Sequence, residues 1–188
     1  MFNRKDVFTI PNILGYFRIL LIPCFVYKYM TATSLSDYYA AAILVGVSSI
    51  TDMFDGLIAR KYNMITELGK LLDPLADKLT QCALLICLLR YKFMYYLLAL
   101  FVVKESFMAI MGLVMLKHNG KKLNGAKWFG KVSTALVYVV MFILFLKPIF
   151  FSQMQEQTVN LLILTCGVAM LATLVLYIPV FSKMYLED

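Results

Sequence analysis

The stretch Thr51–Lys78, TDMFDGLIARKYNMITELGKLLDPLADK, decides how the chain is read. Its left half closes an apolar run, Tyr38–Ala59, and its right half opens another, Leu71–Leu89. Four aspartates gather at that junction. Asp52 and Asp55 are three apart and Asp73 and Asp77 are four apart. Both spacings stack side chains on one face of a helix. The loop between the runs is short, which makes the two helices antiparallel neighbours whose acidic faces can converge.

Outward from this segment the composition is that of a membrane protein. Of 188 residues, 62% are apolar and 15% charged, with a mean hydropathy of +0.79 and a net charge of +7. Soluble domains hold about 45–50% apolar and about 25% charged residues. A disordered chain, a disulfide-stapled secreted module and a soluble nucleic-acid binder are all excluded. Six runs are long enough to cross a bilayer: Pro11–Met30, Tyr38–Ala59, Leu71–Leu89, Phe93–Leu116, Phe129–Leu146 and Val159–Phe181. The expected fold is all-α: a polytopic membrane protein of six transmembrane helices. Residues 1–10 precede them as a short amphipathic, interfacial leader, with a solvated leader as the alternative. No linker or repeat divides residues 1–188, so one domain is expected. The four cysteines lie in apolar runs without metal spacing and read as packing residues.

Basic residues set the orientation. Arg4, Lys5, Arg60, Lys61, Lys70, Lys117, Lys121, Lys122, Lys127, Lys131 and Lys183 border the N-terminus, the second and fourth connections and the C-terminus. Only Lys28, Arg90, Lys92 and Lys147 border the other side. Both termini and the aspartate junction are therefore expected on the cytoplasmic face of the cell (inner) membrane. This asymmetry explains the surplus of Lys and Arg without a nucleic-acid partner.

Ionisable residues in or beside apolar spans normally face a cavity, a partner or a ligand. For Arg18, and for the neighbours Lys104 and Glu105, structural pairing is a sufficient reading. Four aspartates at one connection need more, because carboxylates brought together repel and resist joint ionisation. Divalent cations remove that repulsion, and hard oxygen ligands suit Mg²⁺ or Mn²⁺ shared with a substrate's phosphates. Four acids suffice for two ions about 4 Å apart, the arrangement that serves phosphoryl chemistry. Gly56 and Ala59 leave a ligand room to approach the backbone. Arg60, one turn beyond Gly56, is placed to reach a phosphate. Gly69 permits a tight start to the third helix, and Pro74 is expected in its first turn.

The segment fits D-x2-D-G-x2-A-R-x8-G-x3-D-x3-D at every fixed position, from Asp52 through Asp55, Gly56, Ala59, Arg60, Gly69 and Asp73 to Asp77. It resembles the signature of the CDP-alcohol phosphatidyltransferases, and six spans with the motif at the second connection are similar to that family throughout. The resemblance implies metal-dependent transfer of a phosphatidyl group from CDP-diacylglycerol to an alcohol with release of CMP, a step of phospholipid biosynthesis. It implies that Asp52, Asp55, Asp73 and Asp77 hold two ions, Mg²⁺ or Mn²⁺, and that Asp77 also takes the acceptor's proton. Gly56, Ala59 and Arg60 would line the CDP site, with Thr66 and Asn12 as further nucleotide contacts. A homodimer is likewise implied.

The flanks TIPNILGYFRILLIP (Thr9–Pro23) and GKLLDPLADK (Gly69–Lys78) resemble the phosphatidylglycerophosphate synthase and cardiolipin synthase group. So does WFGKVSTA (Trp128–Ala135), with Gly130, Lys131 and Thr134. An anionic acceptor needs a basic pocket, for which Lys104, Lys127 and Lys131 are the candidates and Arg18 a further contributor. Glycerol 3-phosphate is the expected acceptor. Phosphatidylglycerol, giving cardiolipin, is the rival, because Lys104 and Gly112 stand where glycerol-phosphate enzymes of the family usually carry arginines. A divalent-cation carrier is the reading from another class. It predicts acids spread across the bilayer depth, whereas these four share one face.

Overall fold

The computed structural model describes residues 8–62, 64, 66–119 and 127–186. Helices account for nearly all of them: α1 (Ile10–Met30), α2 (Leu35–Lys61), α3 (Glu67–Cys87), α4 (Met94–Asn119), α5 (Trp128–Phe145), the short α6 (Lys147–Phe150) and α7 (Glu156–Leu186). Most of the leader expected over residues 1–10 lies outside the described residues, as do Arg4, Lys5, Lys121 and Lys122.

Local chemistry sets several ends beyond the apolar runs. α1 opens after Thr9 with Pro11 in its first turn, where a missing N–H costs little. α2 starts at Leu35 rather than Tyr38 because Ser34 and Asp37 form a capping box. The Asp37 carboxylate accepts hydrogen bonds from the Thr33 and Ser34 backbone N–H groups, both at 3.2 Å. Pro74 corrects the expectation drawn from sequence. α3 begins at Glu67, so the proline lies two turns inside the helix rather than in its first turn. The Lys70 carbonyl consequently lacks its usual i+4 donor.

Among the described residues five helices, α1, α2, α4, α5 and α7, are long and apolar enough to cross a membrane. Their outward faces carry exposed Leu20, Ile43, Ile50, Leu113, Val139, Leu161 and Val175, the pattern of helices solvated by lipid rather than water. The chain is a polytopic integral membrane protein. α3 is less apolar than these five, since Lys70, Asp73, Asp77 and Lys78 fall in its first twelve residues.

Contacts divide the chain into two compact units. The first holds α1, α2, α3 and the segment Phe145–Ser152 with α6. Here α1 lies against both α2 and α3. Gly15 makes the α1–α3 approach possible, because a Cβ there would run into the Leu72 side chain. Phe25 and Tyr29 of α1 are buried with Ala41 and Val45 of α2. The Tyr29 ring stacks on Phe145 at 4.3 Å and meets Tyr38 edge-on at 5.3 Å. The second unit holds α4, α5 as far as Leu144, and α7. There α4 packs on α7 around Met115, Tyr177 and Phe181, with Phe107 edge-on to Phe181.

Candidate active site

The candidate site belongs to the first unit and is assembled from three helices. α2 carries Asp52 and Asp55 near its C-terminal end, and α3 carries Asp73 and Asp77 near its start. One- and two-residue steps along a helix would scatter them, whereas three- and four-residue steps align each pair. The two pairs converge on one side chain of α1. The Arg18 guanidinium lies among all four carboxylates, in direct contact with Asp52. It is 3.0 Å from Asp77, 3.5 Å from Asp55 and 4.0 Å from Asp73.

Burial grades the four acids. The side chains of Asp52, Asp73 and Asp77 are 46%, 53% and 51% exposed, whereas those of Asp55 and Arg18 are 5% and 3% exposed. The quartet is thus open on one side and floored by a buried ion pair. Asp77 accepts a hydrogen bond from Arg18 Nη1 at 3.0 Å. The floor is incompletely satisfied: Arg18 Nε, Arg18 Nη2 and Asp55 Oδ2 are buried without hydrogen-bond partners. Such groups are costly in a low-dielectric setting.

Among the described residues, no three acid, histidine or cysteine side chains are closed on a common point as metal ligands. What the four carboxylates face in common is the guanidinium. The donor set still fits hard dications, since it is all oxygen, open on one side, and includes a buried Asp55 oxygen with no hydrogen bond. One arginine offsets only one of four negative charges.

Around the quartet, Arg60 folds back so that its Nε donates to the Gly56 carbonyl at 3.0 Å. A Cβ on Gly56 would meet only Arg60, at 3.8 Å, so packing does not require this glycine. Ala59 is half-buried beside them. The structure brings Asn12 and Thr66 together, joined by an amide-to-hydroxyl hydrogen bond of 3.1 Å. Thr66 also caps α3, accepting from the Gly69 N–H at 2.9 Å. Gly69 is required by this knot: a Cβ would come within 2.8 Å of Asn12 Oδ1 and 3.1 Å of Thr66 Oγ1.

Lys104, Lys127 and Lys131 belong to the second unit. Lys104 is buried on α4 with its ammonium 3.0 Å from Glu105. Lys127 and Lys131 are exposed at the start of α5. The Lys127 N–H donates to the Tyr177 hydroxyl at 3.1 Å. That hydroxyl overlies Gly130, where a Cβ would lie 2.5 Å from it. Sequence reasoning missed Tyr177, which carries no motif. It gave Arg18 no part in the quartet, although a lone cation in an apolar helix and four acids in excess were a pairing signal.

The profile of the CDP-alcohol phosphatidyltransferase family matches residues 8–180. The chain is 33% identical over 144 residues to the CDP-diacylglycerol–glycerol-3-phosphate 3-phosphatidyltransferase of Escherichia coli strain K12, covering 75% of this chain and 79% of that protein. The enzymes of the same name from Shigella flexneri serotype 5b and Shigella sonnei match with the same identity and coverage.

Proposed function

The chain belongs to the CDP-alcohol phosphatidyltransferase family, and on that premise we propose that its acceptor is glycerol 3-phosphate, the product being phosphatidylglycerophosphate. It is an enzyme of phospholipid synthesis. The observation that carries the site is the convergence of four aspartates from α2 and α3 within 4.0 Å of one buried guanidinium. The acceptor is supported by the activity for which the relatives are named and by the flanking strings around the motif.

Asp52, Asp55, Asp73 and Asp77 would hold two divalent ions, Mg²⁺ or Mn²⁺. When bound, these supply Lewis-acid neutralisation of charge on a diphosphate. The chain's own groups do the rest. Asp77 removes the proton of the acceptor hydroxyl, whose oxygen forms the new bond to the phosphatidyl phosphorus. The bridging P–O bond breaks and CMP leaves with the bonding electrons, so that no oxidant or further co-substrate is needed. Gly56, Ala59 and Arg60 line the CDP site, with Arg60 able to exchange the Gly56 carbonyl for a phosphate oxygen. Asn12 and Thr66 border it. Lys104, Lys127 and Lys131 attract the acceptor's phosphate.

α3 is a sixth span: its 21 residues reach about 31 Å, the thickness of a bilayer core. The distribution of Lys and Arg supports cytoplasmic termini and a cytoplasmic site, where CDP stays in water and acyl chains in lipid. Residues 1–188 are read as one catalytic domain, a reading supported by a family match over residues 8–180, and the proposed working form is a homodimer.

One observation favours a second acceptor. Lys104 is engaged by Glu105, and lysine cannot give the two-pronged phosphate contact of arginine. Phosphatidylglycerol, whose phosphodiester carries one negative charge where the glycerol 3-phosphate monoester carries close to two, is the rival. Purified enzyme with CDP-diacylglycerol and Mg²⁺, given each acceptor separately, decides between them. Phosphatidylglycerophosphate is the expected product, and cardiolipin alone would replace the acceptor assignment.

A further inference from the structure

Arg18, the cation among the quartet, is the one group of the site that the reaction scheme leaves without a task. It is contributed by α1, outside the motif, and it is as deeply buried as any charged group described. Its two terminal nitrogens face carboxylates on every side, from α2 and from α3. Yet Nε and Nη2 make no hydrogen bond, and neither does the buried Asp55 oxygen. A permanent structural salt bridge in apolar surroundings is ordinarily completed by hydrogen bonds to every donor. This guanidinium has the charge the site needs but not the finished geometry.

We infer that Arg18 is an exchangeable counter-cation: it holds the four aspartates together while the site is free of metal and gives up its contacts with them when dications bind. The inference rests on the two-ion reading above and goes beyond it by assigning a competitor to those ions. Without a cation, the four carboxylates that α2 and α3 bring together beside α1 would repel one another and part. With the guanidinium in place they stay assembled, but each carboxylate in contact with Arg18 is one that a metal must win. Metal affinity is thereby lowered in exchange for a preassembled site. Arg18 is a positioning residue in this account, acting through the aspartates.

The test is direct Mn²⁺ binding to purified enzyme in detergent without nucleotide, read by electron paramagnetic resonance of free Mn²⁺, together with thermal melting in EDTA and in saturating Mn²⁺. Arg18→Gln is expected to bind Mn²⁺ about ten-fold more tightly, one competing charge having been removed. It should melt lower than wild type in EDTA, and Mn²⁺ should close most of that gap. Arg18→Lys, which keeps the charge but not the fork, should fall between the two in affinity and melt near wild type in EDTA. It reads the same effect where Arg18→Gln is too unstable to purify. Equal or weaker Mn²⁺ binding in both variants would overturn the inference and make Arg18 a fixed scaffold of the ligands. Absence of Mn²⁺ binding to wild type and variants alike would remove the two-ion reading and this inference with it.

Discussion

At the scale of single residues, two glycines of one motif do different work. Gly69 is held under the Asn12–Thr66 pair, and a methyl group there meets two polar atoms at 2.8 and 3.1 Å. Gly69→Ala is expected to cost about 1–3 kcal/mol through overpacking, visible as a lower melting temperature. At Gly56 a methyl group would meet only the Arg60 side chain, at 3.8 Å. Gly56→Ala should leave stability unchanged or raise it by up to about 1 kcal/mol, as alanine favours helix, while raising KM for CDP-diacylglycerol. Equal effects of both changes on stability would refute the distinction. The sequence spacing identified both positions but could not separate them, because the difference lies in what approaches from α1, an element distant in the chain. For the same reason it marked Asn12 and Thr66 as nucleotide contacts without showing that they bond to each other. Arg18 was visible as an isolated charge. Its partners were not, since no spacing rule links a residue of one helix to acids on two others.

At the scale of helices, ends were the least legible feature and the most consequential. Periodicity located the apolar runs, but capping chemistry fixed where α2 begins and the Thr66 hydroxyl fixed where α3 begins. That earlier start is why Pro74 falls inside α3. The start of α5 depends on a contact that no local pattern encodes, the Tyr177 hydroxyl on the Lys127 N–H. Tyr177→Phe deletes this acceptor and should cost about 0.5–1.5 kcal/mol. On the proposed attraction of the acceptor's phosphate by Lys127 and Lys131, it should raise KM for glycerol 3-phosphate more than it lowers kcat. A fall in kcat with KM unchanged would contradict the role given to this helix start.

At the scale of the whole molecule, composition alone was enough to identify a polytopic membrane protein, and the charge asymmetry supplies an orientation that the helices themselves do not. Single cysteines introduced into a cysteine-free background test it. A membrane-impermeant thiol reagent should label Lys92→Cys in intact cells and Lys183→Cys only after permeabilisation; the reverse pattern would invert the proposed topology. The broader claim joins this orientation to the quartet: a water-facing cluster of acids, beside lipid, organised for transfer of a phosphatidyl group. The most direct measurement is CMP release from CDP-diacylglycerol with glycerol 3-phosphate and Mg²⁺, comparing wild type with an Asp77→Asn variant that melts normally. Loss of the proposed general base is expected to slow CMP release by about 10²–10⁴-fold. Release at the wild-type rate from the folded variant would contradict the account.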